Sequence, residues 1–144
     1  MAITQAMCTS FKAELLLGVH DFRPSADTGA DTFKLALYTS SASIDANTTA
    51  YTTSNEVTGT NYTAGGNTLT VSQVPTSTST TAWLDFADTT WSSASITARG
   101  ALIYKVGANG AVCVLDFGSD KTSALTFTVQ MPEDTVSSAL IRLV

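Results

Sequence analysis

Threonine alternates with apolar residues along much of this chain, and this pattern limits the possible folds more than any other. Thr and Ser make up 41 of the 144 residues, while charged residues make up 13%. Threonine is β-branched and suits the pleated surface of a sheet. Residues 125–131 read Leu-Thr-Phe-Thr-Val-Gln-Met, so that every second side chain is apolar. This period of two predicts strands with one buried face and one threonine-covered face in water.

Other segments show related strand patterns. Phe33, Leu35 and Leu37 alternate with their neighbours, and three further strands are expected at 69–74, 82–87 and 139–143. Two runs, 101–104 and 111–115, are apolar at almost every position, which is typical of strands covered on both faces. The segment that joins them contains Asn109-Gly110, a pair favoured in tight hairpin turns. We therefore predict a central hairpin over residues 100–117, between a second sheet and an N-terminal helix.

The N-terminal segment has a different period. Ile3, Met7, Phe11 and Leu15 recur every four residues, and Gly18 follows as a natural helix stop. This spacing predicts an amphipathic helix over 3–17 that packs its apolar stripe on a sheet.

Together these patterns predict one domain over 1–144 of the all-β class. The expected architecture is an antiparallel β-sandwich, jelly-roll-like, that spans residues 33–143 and carries the helix on one sheet. A chain of this length can bury a sizeable core without disulfides or metals.

Two Ser/Thr-rich segments interrupt the strand patterns. Residues 41–66 are expected to form a long excursion with one or two short strands, and residues 76–81 a second irregular segment. Long loops in a compact domain are usually functional or held by a partner. The excursion and the N-terminal segment are therefore candidates for arms that reach a neighbouring protein.

Composition and charge exclude several classes of function. The formal net charge is −5 and the seven basic residues are scattered, so nucleic-acid binding is not expected. No run approaches the roughly 18 apolar residues of a membrane span, and the first residues lack the charged region of a signal peptide. The expectation is a soluble, unprocessed chain. Cys8 and Cys113 are expected to be reduced and structural, although a disulfide between them remains open.

Motifs that resemble catalytic or metal sites have simpler interpretations. Asp116-Phe117-Gly118 matches a kinase tripeptide, but the accompanying kinase motifs are missing and a strand end before a turn glycine explains it. His20, beside Asp21, is expected at the surface after the helix C-terminus. Four aspartates would form a cation site only if separate loops met: Asp85, Asp88, Asp116 and Asp120. The spacing of a calcium loop is absent. The sequence therefore predicts no enzyme activity, no cofactor and no metal.

Large side chains isolated among Ser and Thr are the candidates for an interface. Tryptophan and tyrosine are common both in cores and at interfaces, and tryptophans can also stack on sugars. The candidate interface residues are Tyr51, Val57, Tyr62, Trp83 and Trp91.

Several segments, in order along nearly the whole chain, carry a family resemblance. They are Ala2–Cys8, Phe11-Lys12, Glu14-Leu15, Thr32–Thr39, Asn55–Gly59, Tyr62–Gly66, Phe86–Asp88, Ala98–Tyr104, Val114–Gly118 and Ala139–Arg142. In these segments the chain resembles a family of virion structural proteins of tailed bacteriophages.

The resemblance implies a structural role in a phage particle and assigns no site residues. It implies a capsid decoration (cement) protein that forms homo-oligomers, with a trimer favoured over a dimer, and that stabilises the capsid exterior. The implied partners are further copies of the chain and the major capsid protein or another virion protein. The implied location is the virion, after synthesis in the host cytoplasm. The alternative is a tail-, collar- or fibre-associated module that binds a host receptor or glycan.

Overall fold

The structure, a computed structural model, describes residues 2–24, 26–108 and 110–144. It contains one helix and ten strands in these residues. They are β1 (Ala6–Met7), α1 (Thr9–Leu16), β2 (Phe33–Tyr38), β3 (Asn67–Thr68), β4 (Val71–Thr78), β5 (Thr81–Phe86), β6 (Thr89–Ser92), β7 (Ile96–Lys105), β8 (Ala111–Ser123), β9 (Thr126–Val129) and β10 (Ile141–Leu143). The predicted all-β, sandwich-like fold with a single N-terminal helix is confirmed.

Three antiparallel sheets pack around one connected hydrophobic core. The largest has the strand order β1-β8-β7-β2-β3. A second sheet has the order β10-β5-β4, and β6 and β9 form a two-stranded sheet. Each sheet therefore pairs strands that are distant in sequence, which ties the two ends of the chain into the body.

The central hairpin is confirmed and is longer than predicted. β7 pairs with β8 from Ile96↔Ser123 to Tyr104↔Ala111. Leu102, Ile103 and Val114 are fully buried, in agreement with the runs that are apolar on both faces. The predicted turn residue Asn109 lies outside the described residues.

The prediction of a helix over 3–17 is wrong at its start, because α1 begins at Thr9. Cys8 precedes it in an extended conformation, and Ala6 and Met7 pair with Val114 and Cys113 of β8. A spacing of four residues also places side chains on one face of a strand, because four is a multiple of two. The hydrophobic pattern could not separate the two conformations, and the free edge of β8 decides in favour of the strand.

The alternation in β9 is confirmed at four positions. Phe127 and Val129 are buried, while Thr126 and Thr128 are exposed. Leu125, the first apolar residue of the predicted pattern, is instead 71% exposed. It lies in the connection from β8, outside the ladder between β6 and β9, so the period of two does not govern its direction.

The strand β2 is confirmed, but it is buried on both faces. Ala36 and Tyr38, on the face opposite to Leu35 and Leu37, are fully buried. The cover includes the excursion 41–66, since Tyr38 donates a hydrogen bond from its hydroxyl to the Thr52 carbonyl at 2.6 Å.

The segment 76–81 is not the irregular excursion that its composition suggests. It contains the end of β4, a turn at Ser79 and Thr80, and the start of β5. Ser79 has a φ of +56°, in the left-handed region. Two register shifts, one on each side of Gln73, interrupt the ladder between β4 and β5, and Pro75 lies in β4. The result is a hairpin whose tip is exposed.

Candidate interaction surfaces

A buried carboxylate holds the excursion 41–66 against the large sheet. Glu56 is only 7% exposed, and its Oε1 accepts hydrogen bonds from the Tyr62 hydroxyl and the Gly65 N–H, both at 2.7 Å. Its Oε2 accepts a third, from the Tyr51 hydroxyl at 2.7 Å. We call Glu56, Tyr51, Tyr62 and Gly65 the Glu56 cluster. Burial, reinforced by the Glu56 carboxylate, raises the pKa of both tyrosines, which keeps their hydroxyls protonated as donors.

Further contacts fasten the Glu56 cluster to β2 and β7. The Tyr62 hydroxyl accepts a hydrogen bond from the Leu37 N–H at 2.8 Å. The Tyr51 ring stacks on that of Tyr104, with centroids 4.6 Å apart, and Tyr104 donates to the Gly65 carbonyl. The excursion is therefore a folded part of the body and not an arm. All of 41–66 is described and it contains only isolated bridges, so the short strands expected there do not form.

The five candidate interface residues do not share one surface. Val57 and Trp91 are 2% and 4% exposed, so they lie in the core of the chain. Trp91 packs between Tyr62 and Phe127. Tyr51 and Tyr62 are half-buried in the Glu56 cluster, and Trp83 lies apart from them on β5.

Trp83 lines a cleft of about 440 Å³ between the helix and the β10-β5-β4 sheet. Phe11, Phe22 and Ile141 contribute buried side chains to it, and the more exposed Val74 and Leu143 also line it. We call this the apolar cleft. The Trp83 indole N–H has no hydrogen-bond acceptor within the described residues. That nitrogen is itself buried, so the accessible character of the cleft is set by its apolar lining.

His20 lies beneath this cleft, so the expectation of a surface histidine is wrong. Its side chain is fully buried, and Nε2 contacts the Glu14 Oε2 at 2.5 Å. The ring lies 5.0 Å from that of Phe11, edge to face, and is stacked near Phe22 and Phe33. The aromatic residues that follow the helix fold back on it and carry His20 inside, which composition alone does not indicate.

Asp85 is a second buried carboxylate, in β5. It is fully buried, and it accepts hydrogen bonds from the backbone N–H groups of Phe86 at 2.8 Å and Leu140 at 3.1 Å. Burial raises its pKa above the usual range, and the carboxylates of Asp134 and Asp88 act in the same direction. Asp116 is instead paired with Arg99, at 3.1 Å. Asp88 accepts a hydrogen bond from the Met131 N–H and Asp120 is exposed, so the four aspartates considered for a cation site do not share one set of partners.

The raised pKa of Asp85 predicts a specific pH dependence. Below the pKa of the unfolded chain Asp85 is neutral in both states. Between that pKa and the raised folded pKa it loses its proton only in the unfolded chain, so stability falls as pH rises and the loss is complete once pH has passed the folded pKa. Relative to Asp85→Asn, the wild-type free energy of unfolding should fall by about 1.4 kcal/mol for each pH unit between the two pKa values. Urea unfolding of both proteins from about pH 4 to pH 8 measures this slope.

The matched control for this experiment is Asp120→Asn, which changes an exposed aspartate. The lost acceptor for the Leu140 N–H gives Asp85→Asn a constant offset, so only the slope reports on the charge. A difference between wild type and Asp85→Asn that is flat with pH, or that rises with pH, contradicts the prediction.

Both cysteines are buried free thiols, as expected. Burial raises the pKa of Cys8 to about 11 and that of Cys113 further in the same direction. A thiol must lose its proton to act as a nucleophile, so both groups are inert near neutral pH.

Neither metal-site nor membrane-span geometry is found in the described parts of the chain. Residues 2–24, 26–108 and 110–144 contain no group of three or more His, Cys, Asp or Glu side chains placed to hold a metal ion. No helix among them is long and apolar enough to cross a membrane.

Sequence reasoning missed the roles of Glu56 and Asp85 as buried hydrogen-bond acceptors and the exposed residues at the end of α1. Leu16 and Leu17 are 91% and 78% exposed. The sequence did indicate this exposure, because three leucines in succession cannot all lie on one helix face. Glu56 had no such signal, since its partners depend on how the excursion folds.

No family model matches this chain, and searches of curated proteins and of solved structures likewise give no match.

Proposed function

We propose that this protein is a non-enzymatic structural component of a tailed-bacteriophage virion, a decoration (cement) protein on the capsid exterior. One observation carries the non-enzymatic part of the proposal: reactive side chains are used to build the fold. Glu56 secures an excursion, Asp85 caps backbone N–H groups inside a sheet, and His20 lies in an aromatic cluster. The thiols are buried. A protein with this distribution acts through the shape of its surface.

Two further observations support an assembly role. The sequence resembles virion structural proteins along nearly its whole length. In addition, the exposed surface combines the Ser/Thr-rich tip of the β4–β5 hairpin with leucines that are largely exposed, Leu16 and Leu17. Exposed apolar patches on soluble domains commonly mark protein–protein contacts. The proposed partners are copies of the chain, with a trimer favoured over a dimer, and the major capsid protein.

Copy number tests the capsid assignment. Purified virions of the phage that encodes this chain should contain it in numbers comparable to the major capsid protein, measured by quantitative mass spectrometry. Particles that lack it should lose resistance to heat and osmotic shock. A copy number far below that of the capsid protein, with unchanged particle robustness, would instead assign the chain to the tail, collar or fibre and overturn the decoration role.

A further inference from the structure

Most of the large exposed apolar side chains either line the apolar cleft or adjoin its lining residues in sequence. Of the eight in the described parts of the chain, six belong to this group: Leu16, Leu17, Val19, Val74, Leu143 and Val144. Val74 and Leu143 line the cleft, as do Leu15 and Gly18, the residues on either side of Leu16 and Leu17. Val19 and Val144 adjoin Gly18 and Leu143 in sequence. We call these six residues and the apolar cleft the apolar end.

The exposed area of the apolar end is large for a monomer. The exposed fractions of its six residues add up to nearly four fully exposed aliphatic side chains. That corresponds to roughly 600 Å², at the upper limit of the largest apolar patch on a typical monomer. A stable interface buries about 800 Å² on each partner. The apolar end therefore supplies most of the area that a stable contact between two copies requires.

The charges at this end are compensated, which favours a second copy as the occupant. The chain carries a net charge of −5, so two copies repel each other unless they meet where charge is neutralised. Arg23 and Asp21, which line the cleft, form an ion pair. Lys105 donates a hydrogen bond to the Val19 carbonyl and pairs with Asp31 at 2.9 Å. Two copies can thus approach here with little like-charge repulsion.

The apolar end also contains both a protrusion and a cavity. Leu16 and Leu17 are exposed at the end of α1, and the cleft of about 440 Å³, which their sequence neighbours Leu15 and Gly18 line, has room for both side chains. A surface with a protrusion next to a cavity is self-complementary. In a closed symmetric assembly each copy inserts its protrusion into the cavity of a neighbouring copy.

We propose that the apolar end is the self-association site of this protein, with Leu16 and Leu17 of one copy inserted into the apolar cleft of another. This inference rests on the proposed assembly function and names the surface that carries it. Burial of the leucines removes their apolar area from water, and this supplies the driving force for association.

The first experiment measures association of the purified chain. Light scattering during size-exclusion chromatography should show a defined homo-oligomer for the wild type, and monomer for the double variant Leu16→Asp, Leu17→Asp. The expected loss of affinity is at least about a hundredfold, as for truncation of a central interface anchor. The matched control is Leu125→Asp, since Leu125, like Leu16 and Leu17, is largely exposed (71%). It lies beyond β8, at the end of the β7–β8 ladder opposite to Lys105.

Unchanged far-ultraviolet circular dichroism and monomer melting would show that the double variant folds, as expected for two residues with little burial. A wild type that stays monomeric at high concentration overturns the inference. So does a double variant that associates as the wild type does, or a control that loses association to the same degree.

The second experiment tests where the leucines bind. A chain with Leu17→Cys is mixed with a chain with Leu143→Cys and treated with a short bismaleimide. The native thiols are buried, so the introduced thiols should give the only fast reaction. The expected product is a cross-link between position 17 of one chain and position 143 of the other. A Leu125→Cys chain replaces the Leu17→Cys chain as control. Equal cross-linking of both would contradict insertion into the cleft.

Failure of this inference and failure of the proposed function give different results. Both experiments here use the purified chain and do not depend on its place in a particle. A monomeric chain that is found in capsid copy number would refute the self-association site alone. A chain that self-associates as described but is absent from virions would refute the virion role alone.

Discussion

Replacement of Gly66 by alanine should abolish or severely weaken the fold. A Cβ at this position would lie 1.7 Å from the Leu35 carbonyl oxygen and 2.8 Å from the Ala36 Cα. Both are backbone atoms of β2, an inner strand of the large sheet, and they cannot rotate away as a side chain would. Gly66 also has a φ of +72°, where a side chain is strained. We expect a loss of more than about 4 kcal/mol, a large part of the stability of a typical domain.

Thermal unfolding followed by circular dichroism measures this effect. Gly66→Ala should melt more than about 10 °C below the wild type, or fail to fold. Gly107→Ala is the matched control, because Gly107 also has a positive φ, +91°, but no atom of the described residues lies within 4 Å of its added Cβ. The control should lose only about 1 kcal/mol, from backbone strain. Equal melting temperatures for the two variants would show that the close approach to β2 is not present in solution.

Removal of the Glu56 carboxylate should have the second largest effect. Glu56→Ala leaves three donors without their acceptor: the hydroxyls of the half-buried Tyr51 and Tyr62 and the buried Gly65 N–H. Each unsatisfied buried group costs about 1–3 kcal/mol. The expected total is about 3–5 kcal/mol, with part of the cost relieved where the excursion loosens and admits water.

Chemical denaturation and hydrogen exchange together check this prediction. Tyr51→Phe is the graded control: it removes one hydroxyl and should cost about 1.5 kcal/mol. In Glu56→Ala, amide protection should fall most strongly in 50–66, while β7 and β8 stay protected until global unfolding. If Glu56→Ala is no less stable than Tyr51→Phe, the carboxylate does not secure the excursion.

The sequence-based predictions succeeded where a local pattern decides the outcome. The exposed threonines of β9 follow from the period of two, and the hairpin of β7 and β8 follows from two short apolar runs joined by a turn pair. The β4–β5 hairpin was mistaken for an irregular segment because Ser and Thr are common both in exposed strands and in loops. At such positions composition alone does not separate the two.

The errors arise where a distant part of the chain decides the local structure. Residues 3–7 are extended because β8 offers them a free edge. His20 is buried because Phe11, Phe22 and Phe33 surround it. The role of Glu56 depends on one donor 5 residues before it and two donors 6 and 9 residues after it, in a segment without regular structure. None of these contacts leaves a periodic signal.

The irregular edge strand β4 bears on how many copies of this chain can be crowded together. An open strand edge offers a template on which neighbouring chains can add strands and grow into fibrils. Pro75 has no N–H to donate, and the two register shifts in β4 break the even spacing that such growth requires. The edge at β4 is therefore a poor template for a strand of a neighbouring copy, even where many copies of this β-branched chain lie close together.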